Sequence, residues 1–329
     1  MVAEGHMHRR RLLQSALFSA LIFLPSLAAS QPSDQPVHII FPFIAGSSGD
    51  TLARIIAENL GVVLNRAVVV ENKSGAAGLI GIRAVKDAAA DGTTLLITPI
   101  APMSVYQHVY KSLPYDPIKD FQPIAQIATF DFGVAVGPQV PARSVKELVV
   151  WLQANPELAN YGTPAAGTLP HFFAVLFGNA AGLNLQHIPF RGGAAALTAL
   201  MGGQIPMVFT STDSLTELHK AGRIRVLATS DKARSPFLPE VPTFQEAGFN
   251  IEGRGWFGMF APASTPAGIV ERLNELVVSA IQAPDGQKRI LALGLRPTGT
   301  SAATFAAIQR ADSELWSPAV KASGFTISE

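Results

Sequence analysis

Short β-branched runs, each giving way to a loop of glycine, serine and alanine and then to a helix-spaced stretch, govern what this chain can fold into. Val37 to Phe43 reads as a strand. Ala45-Gly46-Ser47-Ser48-Gly49-Asp50 reads as a loop, and Thr51 to Leu64 as a helix with Leu52, Ile55, Ile56 and Leu60 on one face. Val68 to Val70, Ser74 to Gly78 and Leu79 to Ala89 repeat the unit. Asp91-Gly92 then turns the chain into a third strand, Thr94 to Thr98. After Pro138 the pattern resumes, with helices expected at 145–153, 170–181 and 194–201 and strands at 160–163, 187–190, 206–210 and 225–228. Two further helices are expected at 266–282 and near 302–315. This alternation predicts parallel sheets with helices on their faces. Two such α/β units place their small-residue loops at strand carboxyl ends, where open α/β sheets take ligands, with a cleft between them.

The N-terminus points to export. Arg9, Arg10 and Arg11 precede the uncharged apolar stretch Leu12 to Leu27, and the small residues Ala28, Ala29 and Ser30 follow. That is the layout of a cleaved secretory signal over residues 1–30, and the run is short for a membrane span of roughly 20 residues. Met7 is an alternative start. Arg9 to Gln14 also resembles a twin-arginine signal, so either the general secretory or the twin-arginine route is open. The chain has no cysteine, which excludes disulfides, thiolate catalysis, cysteine metal sites and a lipid-attachment cysteine. Without residues 1–30, Lys+Arg falls from 25 to 22 and Asp+Glu from 24 to 23, a net charge of −1. No basic stripe is visible, so nucleic acid is not an expected partner.

The loop Gly46-Ser47-Ser48-Gly49-Asp50 carries the clearest chemical signal. Helix N-termini expose N–H groups and partial positive charge, and small residues let an anion approach them. Asp50 is expected to cap the following helix. An ordinary tight turn uses the same residues, so the loop alone leaves both readings open. Gly75-Ala76-Ala77-Gly78-Leu79-Ile80-Gly81 is not the dinucleotide fingerprint, and close helix–strand packing explains it better. Gly46-Ser47-Ser48-Gly49 is one residue short of a nucleophile elbow. His38, His108, His171, His187 and His219 show no zinc spacing. His171 opens a helix after a small-residue loop and is read either as lining the cleft or as structural. Arg191 is either a carboxylate clamp or a surface partner. No carboxylate pair is arranged for acid–base work, so no catalytic residue, metal or cofactor is expected.

Taken in order, a series of landmarks resembles one family. They are Phe41-Pro42-Phe43-Ile44-Ala45-Gly46 with Asp50, Glu71 to Gly78, Asp91 to Leu96, Leu113 to Pro117, Tyr161-Gly162-Thr163-Pro164 through His171, Pro189 to Gly193, Gly222 to Ala228, Val241 to Gly248, and Trp256-Phe257-Gly258 followed by Ala261-Pro262. The chain resembles the Bug receptors, the extracytoplasmic solute-binding proteins of tripartite tricarboxylate transporters, over nearly its whole length beyond residue 30.

The resemblance implies an α/β type II periplasmic-binding-protein fold with two lobes around an interdomain cleft. Domain 1 is expected from 34–132 plus 257–329 and domain 2 from 133–256, with crossings near Asp131–Val136 and Arg254–Met259. It also implies a monomer in the periplasm. The expected ligand is a small carboxylate (a di- or tricarboxylate, an acidic amino acid or an aromatic acid), passed to membrane transporter subunits or to a sensor. The family holds such a group by backbone amides, hydroxyls and waters. Carried over, the first loop supplies Phe43, Ala45, Gly46, Ser47 and Ser48, and the facing loop supplies Gly162, Thr163, Ala166, Gly167 and Thr168 with His171. The third-strand loop adds Ala101, Met103 and Ser104, and Arg191 and Asp213 complete the expected set. The family usually has two glycines where this chain has Gly46-Ser47. An exported enzyme using the same cleft is the alternative, since a fold alone does not fix function.

Overall fold

A computed structural model describes residues 35–328 of the protein; the expected signal segment, 1–30, lies outside the described residues. β1 (Val37–Phe41) leads into α1 (Ser48–Leu64), β2 (Val68–Asn72) into α2 (Leu79–Lys86), and β3 (Thr94–Pro99) through a π-type turn at Ala101–Val105 into the single-turn α3 (Tyr106–Val109). β4 (Phe121–Phe130) and β5 (Phe132–Val136) are separated by Asp131 alone. Then come α4 (Val145–Ala154), β6 (Asn160–Thr163), α5 (Leu169–Ala181), β7 (Gln186–Pro189), α6 (Gly193–Met201), β8 (Met207–Ser211), α7 (Thr212–Lys220) and β9 (Arg225–Thr229). β10 (Gly255–Pro262), α8 (Ala267–Gln282), α9 (Pro284–Ala292), β11 (Arg296–Pro297) and α10 (Ala302–Ser323) finish the chain. Among the described residues no helix is long and apolar enough to cross a membrane.

The strands form two sheets, ordered β11-β4-β10-β3-β1-β2 and β7-β6-β8-β5-β9. The expected parallel pairing holds for β1 with β2 and β3, and for β6 with β7 and β8. It fails at the strands that carry the chain between sheets. β10 runs antiparallel to both β3 and β4, and β5 runs antiparallel to β8 and β9. These are mixed sheets, because a strand that passes directly from one sheet to the next has no helical crossover to restore its direction. Helix α10 also overruns its expected end near Leu315, continuing through Pro318 to Ser323.

Local chemistry explains most element ends. α1 buries Leu52, Ile55, Ile56 and Leu60 on one face and stops at Asn65, which takes the left-handed conformation at φ 49°. α10 starts at Ser301, whose hydroxyl accepts the Thr304 N–H, and closes on Gly324 at φ 65°. Phe305 of α10 packs ring to ring with Trp256 and Phe260 of β10 at centroid distances of 5.0 to 6.2 Å within the group, all buried. Rings of this size bury enough apolar area to dominate a local core.

Arg296 on β11 ties the two passages together. Its Nη1 donates to Asp131 Oδ2 at 2.9 Å, and its Nη2 donates to Asp131 Oδ1 and, at 3.1 Å, to Asp231 Oδ2. Arg254, just before β10, donates to the other oxygen of Asp231 at 2.9 Å. Asp131 is buried between β4 and β5, and its carbonyl also receives the N–H and hydroxyl of Thr212. Burial disfavours the Arg296 charge, but the hydrogen bonds and attraction of Asp131, then Asp231, prevail and hold its pKa above the ordinary arginine value. Arg296→Met should therefore cost about 3 kcal/mol in urea unfolding, because it leaves the buried Asp131 carboxylate without its cation, while Arg254 still serves Asp231. A loss below about 1 kcal/mol would show that the cluster is already well hydrated.

Candidate functional site

The β1–α1 loop is built around two reciprocal contacts. Gly46 adopts φ 87°, a left-handed turn that residues with a Cβ resist. The helix cap falls on Ser47 rather than on the expected Asp50. Ser47 sits in extended backbone at φ −81°, and its hydroxyl accepts the Asp50 N–H at 3.3 Å. Asp50 lies one turn inside the helix, so its carboxylate reaches back to accept the Gly46 N–H at 3.0 Å, in the manner of a capping box. Arg54 and Asn72 also donate to that carboxylate. Burial works against its charge, and these hydrogen bonds keep its pKa below the ordinary range. Gly49 is required by close approach, since a Cβ there would lie 2.6 Å from Phe257 and 2.7 Å from Phe41.

Loops from the second sheet meet this one. Ser48 Oγ donates to Asp213 Oδ2 at 2.6 Å, joining the first turn of α1 to the first turn of α7. A Cβ on Gly192 would lie 3.7 Å from Ile44 Cδ1. The Gly192 N–H donates to the Pro164 carbonyl at 2.8 Å, which attaches the β7–α6 loop to the β6–α5 loop. Ala45, Gly46 and Ser47 are exposed, whereas Phe43, Ser48, Ala166, Thr168 and Asp213 are half-buried. Arg191 is exposed on the β7–α6 loop.

Other expected residues are buried. Met103 and Ser104 are fully buried; the Ser104 hydroxyl donates to the Gln309 carbonyl on α10, and Gln309 donates back to the Met103 carbonyl. Ala101 is buried beside them. The Ser104 hydroxyl is thus spent on α10, while α3, which follows this loop, meets the β6–α5 loop, since a Cβ on Gly167 would lie 3.1 Å from Val109 Cγ1. Gly162 is buried within β6, where a Cβ would strike Ile205 and Phe190.

Beneath the β6–α5 loop lies a stack that spacing did not reveal. His171 and His187 are parallel at 4.1 Å between centroids and 12° between planes, with Tyr161 stacked 5.0 Å from His187 and Phe325 edge-on to His171. His171 Nδ1 accepts the Gly167 N–H at 3.2 Å, which places its proton on Nε2. His187 Nε2 lies 2.7 Å from the Thr163 hydroxyl, which itself donates to the Ala165 carbonyl at 3.0 Å. The Thr168 hydroxyl donates to that same carbonyl at 2.8 Å. Burial lowers the His171 pKa to about 4; burial and then the neighbouring His171 lower that of His187 to about 3. Among the described residues no group of three or more His, Cys, Asp or Glu is placed to hold a metal ion.

Two measurements test this arrangement. Ser47→Ala should lower unliganded stability by about 0.5–2 kcal/mol through loss of the cap, seen in denaturant unfolding; an unchanged midpoint would mean the cap is redundant. The histidines give a pH signature. Their folded pKa values lie below the ordinary 6.5, so the unfolded chain binds more protons below pH 6.5. Their stabilisation is complete above that pH and is lost as pH falls through about 4 for His171 and about 3 for His187. Asp213 and Asp312, whose burial raises their pKa, the latter to about 6, act in the opposite sense. The useful quantity is therefore the difference between the native protein and His171→Gln/His187→Gln. Between pH 6.5 and 4 that difference should change by about 1.4 kcal/mol per pH unit per histidine. Parallel stability curves would show that both imidazoles already titrate freely.

Comparison with known proteins places the whole architecture. The profile of the tripartite tricarboxylate transporter family receptors matches residues 52–325. Protein BugT of Bordetella pertussis is 30% identical over 297 residues, 88% of this chain and 90% of its own length. A structure of an R. palustris protein solved with adipate is 30% identical, covers 88% of this chain and 98% of its own, and superposes with a TM-score of 0.83. The periplasmic binding protein BugD superposes at 0.80 with 30% identity over 88% of this chain and 98% of its own. MatC of Rhodopseudomonas palustris, solved with bound malate, superposes at 0.79 with 27% identity over 87% and 98%. The chain therefore belongs to the tripartite tricarboxylate transporter family receptors and has their two-lobed α/β fold.

Proposed function

We propose that this protein is a periplasmic solute-binding receptor that captures a small carboxylate in the cleft between its two lobes, without turning it over, for a tripartite tricarboxylate-type transporter or a sensor. The observation that carries this reading is the apposition of helix-opening, small-residue loops from the two sheets, joined by Ser48 and Asp213. Relatives of the same fold and similar length were solved with adipate and malate. The lobes are 34–132 with 257–329 and 133–256, and they close on the ligand because donors from both sheets meet it only in the closed form. Export follows from the N-terminal pattern of arginines, apolar run and small residues.

In the β1–α1 loop the ligand carboxylate takes the N–H groups of Ser48 and Gly49, the first two helical positions, which have no intrahelical acceptor. In the facing loop the Thr163 and Thr168 hydroxyl protons are directed at the Ala165 carbonyl, so backbone groups and bridging water dominate there.

A thermal-shift panel of adipate, malate, citrate, acidic amino acids and aromatic acids tests the reading. A true ligand at a hundred times its Kd should add about 2.7 kcal/mol of stability by mass action, and should be recovered unchanged. Its primary amide should bind more weakly by about 1.5–3 kcal/mol, the scale of a hydrogen bond to a charged group. No response to any carboxylate, or equal affinity for acid and amide, would refute the reading.

A further inference from the structure

Asp213 is a half-buried carboxylate among loops that otherwise offer donors. It accepts the Ser48 hydroxyl of α1 at 2.6 Å, and the Ser211 hydroxyl and the amides of its own helical turn favour its charged form against the larger effect of burial. Every one of these donors is neutral. Neutral donors orient a carboxylate without cancelling its charge. Burial raises its pKa, and the side chain that meets it is the Ser48 hydroxyl rather than a cation. Gly294 packs close behind it, since a Cβ there would lie 3.1 Å from the Asp213 Cα. Arg296, two residues further on, is committed to Asp131 and Asp231. The guanidinium that follows this contact is therefore spent on the passages between the sheets.

A ligand whose carboxylate sits at the β1–α1 loop must place its other groups near this uncompensated charge. A second carboxylate on that side meets repulsion in a site with little water to screen it. An ammonium there makes a charge-assisted hydrogen bond. A like charge left facing Asp213 rejects the wrong ligand, and selectivity of this kind rests on repulsion as much as attraction.

Building on the carboxylate-receptor reading above, we propose that Asp213 is the specificity-determining residue of the cleft and selects ligands that carry a protonated amine beside the bound carboxylate: amino-acid-type zwitterions in preference to plain acids.

Calorimetric titration of matched pairs tests this: propionate with alanine, succinate with aspartate, glutarate with glutamate, and 3-phenylpropionate with phenylalanine. In the native protein the amino member of at least one pair should bind about tenfold tighter or better than its partner. Asp213→Asn should collapse that ratio to within about threefold, while Asp213→Glu, which keeps the charge, should keep its direction. Plain acids that bind the native protein as tightly as their amino counterparts would overturn the inference and leave the carboxylate-receptor reading standing. So would an Asp213→Asn variant that retains the full ratio. If no member of any pair binds while another carboxylate of the thermal-shift panel does, this inference is overturned and the receptor reading stands.

Discussion

The Arg296 guanidinium holds the two passages between the sheets, and the geometry of the cleft depends on it. One passage consists of Asp131 alone, and the other runs past Asp231 and Arg254 into β10. A crossing one residue long has almost no slack, so the second sheet is attached at this point rather than hung on a linker. Placing two aspartates here would be costly without a cation, since each loses solvation and repels the other. Arginine suits the role because its planar fork satisfies several oxygens at once. The same cluster fixes where β8 ends, because the Asp131 carbonyl accepts both donors of Thr212 at the start of α7. Asp213 is the next residue. Its position opposite Ser48 thus follows from the crossing, through one backbone contact.

What could be read from the sequence follows the range of the interactions. Strand–loop–helix units whose cores are local, such as β1 to α1 and β6 to α5, lie close to where periodicity puts them, because a helix face or strand pattern is written in consecutive residues. The crossing strands are different. β10 combines glycines with aromatics; its Gly258 leaves room for Phe305, where a Cβ would lie 2.1 Å from the ring. Such a glycine weakens any local strand signal, and its reason lies 47 residues along the chain. α7 has threonine, serine and aspartate in its first turn and little apolar stripe. The antiparallel pairing of β5 and β10 is set by topology, to which no local pattern refers.

The site shows the same division. The β1–α1 loop was legible as a helix-opening loop, yet the cap fell on Ser47, three residues before Asp50. Both residue types suit a cap, and only the backbone decides: Ser47 takes the extended conformation, and Asp50 lies already inside the helix. The departure from the family glycine is tolerated for the same reason, because φ −81° costs a serine nothing. His171 and His187 are 16 residues apart on α5 and β7, and no spacing rule joins a helix start to a neighbouring strand. The Ser48–Asp213 bond spans 165 residues and has no sequence signal beyond two polar residues near helix starts.

The hydroxyls and histidines around the facing loop bear on how such a site binds at all. Thr163 and Thr168 converge on one carbonyl, and His187 and His171 brace the loop from below. A side chain that spends its hydrogen bonds inside the protein gives up direct contact with a guest, but it removes freedom that binding would otherwise have to freeze. Rotatable hydroxyls aimed at solvent would offer more donors to an anion, at the cost of ordering each one. A braced loop instead presents backbone groups whose direction is already fixed, and fixed dipoles act on a charge without reorganising. Neutral imidazoles serve this purpose better than charged ones. A protonated His171 loses the lone pair that accepts the Gly167 N–H, and two stacked imidazolium rings at 4.1 Å would repel. Burial, which keeps both rings neutral, is therefore the condition on which the shape of the loop rests.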